Sequence, residues 1–153
     1  MATQTTARNF FTLPLFASSG LAYLDYVDGS AVHAWYLSHG LDVTPINPGS
    51  SQVTVHKTDY ATLPNLSALP SPRQTAVSII TPPAVTRAVL DEARKLGIPA
   101  VWMQPGTFDD AVLELALADG AFETVVYGDG GCGGEGWCVL VDGERALKEA
   151  GKL

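Results

Sequence analysis

Two periods of apolar residues alternate along the chain. Leu13–Ala17 is a short apolar run, the composition of a first buried strand. Ser30 can cap a helix that reaches His39, with Val32, Trp35, Tyr36 and His39 following the i, i+3, i+4, i+7 stripe and Gly40 supplying the stop. Leu41–Asn47 reads as a second strand interrupted by Pro45. Residues 48–75 are rich in Ser, Thr, Pro and Asn and predict an extended piece at Gln52–His56 and a helical turn near Leu66–Leu69.

The second half repeats the alternation with clearer boundaries. Thr75–Ile80 is β-branched and apolar, as a central strand requires. Pro83–Leu96 is an amphipathic helix whose stripe is Ala84, Val85, Ala88, Val89, Ala93 and Leu96. Pro83 suits the first turn, where its missing N–H costs nothing, and Gly97 ends the helix. Pro99–Met103 is the next strand. Thr107 is placed to cap a helix over Phe108–Asp119, with Asp109 and Asp110 at its positive end and Gly120 at its exit. Thr124–Tyr127 predicts another strand. A glycine tract, a short strand at Trp137–Val141 and a helix at Glu144–Ala150 follow.

Strand, helix, strand, helix with short connections is the pattern of a parallel sheet covered on both faces. The expected fold is a doubly wound, mostly parallel α/β domain, Rossmann-like, filling residues 13–153 after a flexible stretch over residues 1–12. No internal repeat or linker divides it. The length of 153 residues suits one domain with a sizeable core.

Composition narrows the partners. Nine Lys and Arg against sixteen Asp and Glu give a net charge of −7, which repels phosphate backbones and argues against nucleic acid. Mean hydropathy is +0.15, but no apolar run reaches the roughly 18–20 residues of a membrane span. No apolar core of a secretory signal follows residues 1–12, so a cytoplasmic location is expected. Those residues carry one Arg, several Thr and no acid, a weak mitochondrial pattern that a frayed terminus explains better. Cys132 and Cys138 could bridge geometrically, although a reducing compartment would keep them as thiols. The histidines His33, His39 and His56 lie too far from them for a zinc pattern. His33 reads as a helix-surface residue and His39 as a helix-end residue.

In an open parallel sheet, ligands sit beyond the carboxyl ends of the strands, at the switch point of strand order. The residues just after each strand are therefore the candidates: Ser18, Ser19 and Gly20; Asn47, Pro48 and Gly49; Thr81, Pro82 and Pro83; Gln104, Pro105 and Gly106. They are small, turn-forming and hydrogen-bonding, with backbone N–H groups and helix N-termini nearby, suited to a nucleotide or another phosphorylated cofactor. Turns need the same residue types for their own sake, so composition leaves both explanations standing.

Residues 45–50 (PINPGS), 78–86 (SIITPPAVT) and 100–111 (AVWMQPGTFDDA) resemble the stand-alone CoA-binding domain family. These are Rossmann-like proteins similar to the N-terminal domain of the succinyl-CoA synthetase alpha subunit. The resemblance runs over about residues 10–140 in consistent order, and Trp102, Gln104 and Gly106 carry its most specific part. It implies binding of CoA or a related adenine nucleotide, with no catalytic residue. On that likeness Asn47 and Pro48 would lie by the adenosine, Thr81, Pro82 and Pro83 would line the next loop, and Gln104 and Gly106 would form the far wall.

The first loop departs from the family pattern of a strand, Gly-Ala-Ser and then Lys-x-Gly-x-x-Val. Phe16 stands at the glycine position and Val27 at the lysine position, whereas Gly29 and Val32 fit. Asp25 and Asp28 add negative charge in between. These changes remove a close backbone approach and a counter-charge, so either the phosphates are held differently or CoA binding is weakened or lost.

The tract at 128–137 has six glycines in ten residues and contains Gly128, Gly130 and Gly133 in dinucleotide spacing. It follows the last parallel strand instead of joining a first strand to a helix, so it reads as a loop near the ligand edge. Cys132 within it has no neighbouring base or cation in sequence, and an inert thiol is expected. No nucleophile–base pair or catalytic motif is visible, and Asp109 and Asp110 are explained by the helix start. Non-catalytic CoA or nucleotide binding therefore leads. A degenerate scaffold for a protein partner is the alternative. An NAD(P)-dependent oxidoreductase is a second one, disfavoured because Asn47 stands where an acid would hold the ribose.

Overall fold

The computed structural model describes residues 2–20 and 29–153. Its elements in chain order are α1 (Gln4–Phe10), β1 (Leu15–Ser19), α2 (Gly29–Ser38), β2 (Val43–Ile46), β3 (Gln52–Val55), β4 (Thr58–Ala61), β5 (Thr75–Ile79), α3 (Pro83–Leu96), β6 (Ala100–Met103), α4 (Asp110–Ala116), β7 (Thr124–Val126) and α5 (Val139–Glu149). Short 3-10 turns at Leu66–Ala68 and Pro72–Gln74 lead into β5. The main sheet is parallel throughout, in the order β2-β1-β5-β6-β7, so it is an α/β Rossmann-like fold. No helix among the described residues is long and apolar enough to cross a membrane.

Strand side chains alternate between two cores, as the period of two demands. Phe16, Ala76, Ala100, Trp102 and Val126 face the layer formed by α1, α2 and α5. Ala17, Val77, Ile79, Val101 and Met103 face the layer of α3 and α4. The first layer is aromatic: Phe16 packs on Phe10, Phe11 and Tyr36 with centroids 5.9, 5.6 and 5.3 Å away. Phe10 meets Trp102 edge-on at 5.5 Å. Phe16 thus lies in the core, within β1.

Several sequence expectations are corrected. Residues 4–10 are helical, not a frayed end, because Thr3 and Thr6 form a capping box and Ala7, Phe10 and Phe11 bury completely. The expected strand at Trp137–Val141 is absent. Helix α5 starts at Val139 instead, since Gln104 Oε1 accepts the Val139 N–H at 2.9 Å and Asp142 accepts that of Cys138 at 3.0 Å. These remote acceptors do the work of a local cap. Gly143 does not break that helix; a Cβ there would come within 2.6 Å of the Trp35 ring, so glycine is what lets α2 and α5 approach.

The cap of α4 is Asp109, whose side chain accepts the Val112 N–H, while the Thr107 hydroxyl donates to the Gln104 carbonyl. The extended piece at residues 52–56 is half of a hairpin with β4, turned by His56 and Lys57 at φ 49° and 66°. His33 is buried, not on the helix surface, with Tyr60 of β4 edge-on to its ring at 5.3 Å. On α3 the buried residues are Thr86, Leu90 and Ala93, and Ala84, Val85 and Ala88 of the expected stripe are exposed.

Candidate functional site

The strand order reverses direction between β1 and β5, the switch point at which ligands settle in such sheets. At the carboxyl ends of β1, β2 and β5 the chain leaves a groove of about 260 Å³. Ser19 and Gly20 form its floor, Ile46 and Pro48 one side, Pro64, Asn65 and Leu66 the next, and Thr81, Val85, Ala88, Val89 and Glu92 the side made by α3.

Gly20 is required at its position. Its φ is +101°, and a Cβ would stand 2.3 Å from the Ile80 carbonyl oxygen. The close approach follows from β1 continuing one residue further: Gly20 N–H donates to Ile46 O at 3.3 Å, and the Ile80 N–H donates to Ser19 O at 2.8 Å. The side of α3 facing the groove explains the exposed Val85 and Ala88. Their spacing is that of a core stripe, yet they line a cleft.

Electrostatically the groove is bland. Its single charged residue among the described ones, Glu92, accepts the Leu66 N–H on Oε1 and the Ser67 hydroxyl on Oε2, both at 3.0 Å, and so helps hold the 3-10 turn against α3. No lysine or arginine among the described residues lines it. The α3 N-terminus enters beside it without an acid in its first turn or a side-chain cap. Thr81 Oγ1 lies 2.8 Å from Thr86 Oγ1, and the Thr86 hydroxyl reaches the carbonyls of Thr81 and Pro82, so the turn at Thr81 and Pro82 is locked onto the helix start.

Of the residues singled out from sequence, Ser19, Gly20, Pro48 and Thr81 come together in this groove. Ser18 is buried on the opposite face of β1, where its strand neighbours are Pro45 and Ser78. Asn47 stands just outside, its side-chain Oδ1 accepting the Gly49 N–H at 2.9 Å in a tight turn. Pro82 and Pro83 begin α3 above the groove. Gly106 is exposed on the β6–α4 loop with φ +87°. Gln104 is fully buried and both ends of its amide serve α5: Oε1 takes the Val139 N–H, and Nε2 donates to Cys138 Sγ at 3.3 Å. Its side chain is a strut between β6 and α5. Asp25, Val27 and Asp28 lie outside the described residues.

Sequence reasoning missed Pro64, Asn65, Leu66 and Glu92. The chain between the hairpin and β5 carries no periodic signal, and it is brought onto α3 by the burial of Leu66 and Leu69 with Leu90 and Ala93 and by the bonds of Glu92 to Leu66 and Ser67. A wider depression of about 430 Å³, lined by Arg94, Gly97, Pro99 and Glu123 among others, lies at the amino-terminal edge of the strands, away from the switch point.

Comparison with known proteins agrees with this geometry. A hypothetical protein from Pyrococcus horikoshii OT3 superposes with a TM-score of 0.73 at 24% identity, over 95% of this chain and 93% of its own. A conserved hypothetical protein from Pyrococcus furiosus gives 0.64 at 21%, over 84% and 97%. The cell-free ID.343 protein from Thermus thermophilus gives 0.70 at 19%, over 95% and 99%. These likenesses establish the shared fold. No curated protein matches the sequence. The CoA binding domain family, however, matches residues 20–130, from the glycine that closes β1 to the loop after β7. The chain belongs to the CoA-binding domain family.

Proposed function

We propose that this protein binds CoA or a related adenine nucleotide, without catalysing a reaction on it, at the carboxyl edge of the parallel sheet. The observation that carries this reading is the groove at the β1/β5 switch point, closed beneath by Gly20 and walled by apolar residues of β2, the 3-10 turn and α3. Its lining suits an uncharged, flat or aliphatic part of such a ligand. The phosphates would lie toward the Gly20 turn and the uncapped start of α3, where backbone N–H groups and the helix dipole offer the positive potential that side chains do not. With no cation among the described residues of the groove, affinity would be lower than in a site that has one. Ser19, Gly20, Pro48 and Thr81 are the proposed contacts, and Asn47, Pro82, Pro83 and Gly106 border them. Ser18 and Gln104 would act from behind the site.

A thermal-shift series with CoA, acetyl-CoA, ADP, ATP, NAD and NADP tests this. A ligand at about 100 times its Kd adds roughly 2.7 kcal/mol and should raise Tm by about 5–11 °C. Stabilisation by CoA and ADP but not NAD supports the reading; indifference to every compound rejects it. The cation-free lining also favours a second reading, a scaffold of this fold that holds a protein partner. Its mark would be a partner retained equally with and without nucleotide.

A further inference from the structure

The glycine tract after β7 takes no part in the groove, yet one buried side chain organises it. Asp142, in the first turn of α5 and 2% exposed, accepts the Cys132 N–H on Oδ1 at 2.7 Å and the Cys138 N–H on Oδ2 at 3.0 Å. The two cysteines are thus tied to the two oxygens of one carboxylate, and the chain between them is folded back on itself. Both are free thiols.

We propose that Cys132 and Cys138 form a reactive pair that exchanges with low-molecular-weight disulfides and closes into an intrachain disulfide. Bridging needs Cα atoms about 4.4–6.8 Å apart with side chains turned toward each other. The loop's ends are fixed and its middle has room to supply that adjustment. A Cβ on Gly131 would lie 2.5 Å from Asp142 Oδ2, and one on Gly136 would lie 2.6 Å from Gly128 O, so both positions are packed. Gly134 has nothing within 4 Å of such an atom, and Gly133 has only ordinary contacts from 3.5 Å outward.

The two thiols differ in access, which assigns their roles. Cys132 is exposed and meets the incoming disulfide; Cys138 is buried and resolves the product. The Cys132 thiolate attacks one sulfur of RSSR, forming a Cys132–S–S–R bond and releasing RS⁻, which takes up a proton. Cys138 then gives up its proton and attacks the Cys132 sulfur, and a second RSH leaves. Two protein thiols are oxidised and one RSSR is reduced to two RSH. Closure turns Cys138 Sγ away from the Gln104 amide that now donates to it. The redox state is thereby felt where β6 meets α5.

The test is to equilibrate the full chain with glutathione buffers of graded oxidised-to-reduced ratio, quench by alkylation and read the products by mass spectrometry. The expected wild-type product is two hydrogens lighter, with Cys132 and Cys138 joined in one peptide. Cys138→Ser should instead accumulate glutathione on Cys132, and Cys132→Ser should stay reduced. In denaturing urea the wild-type closure constant should fall by about tenfold or more, equivalent to about 30 mV. The proposal is overturned if the folded wild type keeps both thiols or stops at the Cys132 adduct. Closure as favourable in urea as in the native protein overturns it too, because the fold would then contribute nothing.

Discussion

The Tyr36 hydroxyl of α2 and Ser78 Oγ of β5 lie 2.6 Å apart in the buried layer between the helix and the middle of the sheet. Both residues are completely inaccessible, and burial pushes the Tyr36 phenol well above its ordinary pKa, so it stays protonated. Tyr36→Phe keeps the ring against Phe16 but leaves a hydroxyl on Ser78 without this partner. The expected loss is about 1–3 kcal/mol by urea denaturation. Tyr36→Phe combined with Ser78→Ala should be more stable than the sum of the single losses; strict additivity would mean the pair is not coupled.

Gln104 belongs to the family-like strand end, yet its amide is spent on Val139 and Cys138. Gln104→Leu should orphan the Val139 N–H and cost about 1–3 kcal/mol of stability. Ligand Kd, measured below the lowered Tm, should stay within about twofold of wild type, less than 0.5 kcal/mol. A loss of affinity of about tenfold or more, with the chain still folded, would make Gln104 a ligand contact instead.

The parallel sheet was legible because its strands are β-branched or apolar runs and its helices carry glycine stops at Gly40 and Gly97. The failures share a cause, which is that the deciding partner is remote in sequence. Trp137–Val141 has the apolar composition of a strand, and Gln104, which caps the helix at Val139, lies 35 residues away. The hairpin turn at His56 and Lys57 has positive φ without glycine or asparagine, so it gave no turn signal. Of the residues the strand-end rule names, Ser19, Gly20, Pro48 and Thr81 line the groove. The apolar wall of α3 has the same spacing as a core face, and periodicity alone does not separate a cleft from a core.

Ala88 offers a direct test of the groove. It is exposed on α3 and lines the cleft, so a large side chain there fills the space and leaves the packed face of Leu90 and Ala93 untouched. Ala88→Trp should change stability by about 0.5–1 kcal/mol through helix propensity alone. It should weaken binding of CoA or ADP by more than about tenfold in calorimetry. Arg87→Trp, on the exposed face next to it, controls for the added indole and should leave affinity unchanged. Equal affinity in both variants would move the ligand out of the groove.

His33 should give the protein an acid-sensitive component of stability. Burial lowers its pKa below the ordinary 6.5, and neither ring nitrogen has a hydrogen-bond partner among the described residues to favour the imidazolium. In the unfolded chain the imidazole takes up a proton as pH falls through about 6.5, while the native ring stays neutral until a lower pH. The unfolded state therefore binds more protons in that window. Stability is fully present above pH 6.5 or so, declines as pH drops below it, and levels off once the native ring also titrates. His33→Phe preserves an aromatic ring against Tyr60 and removes the titration. Its unfolding free energy should match wild type in form above pH 7 and fall less steeply than wild type from about pH 6.5 downward, by a slope of less than one proton. Parallel curves across that window would show that the acid response comes from carboxylates elsewhere.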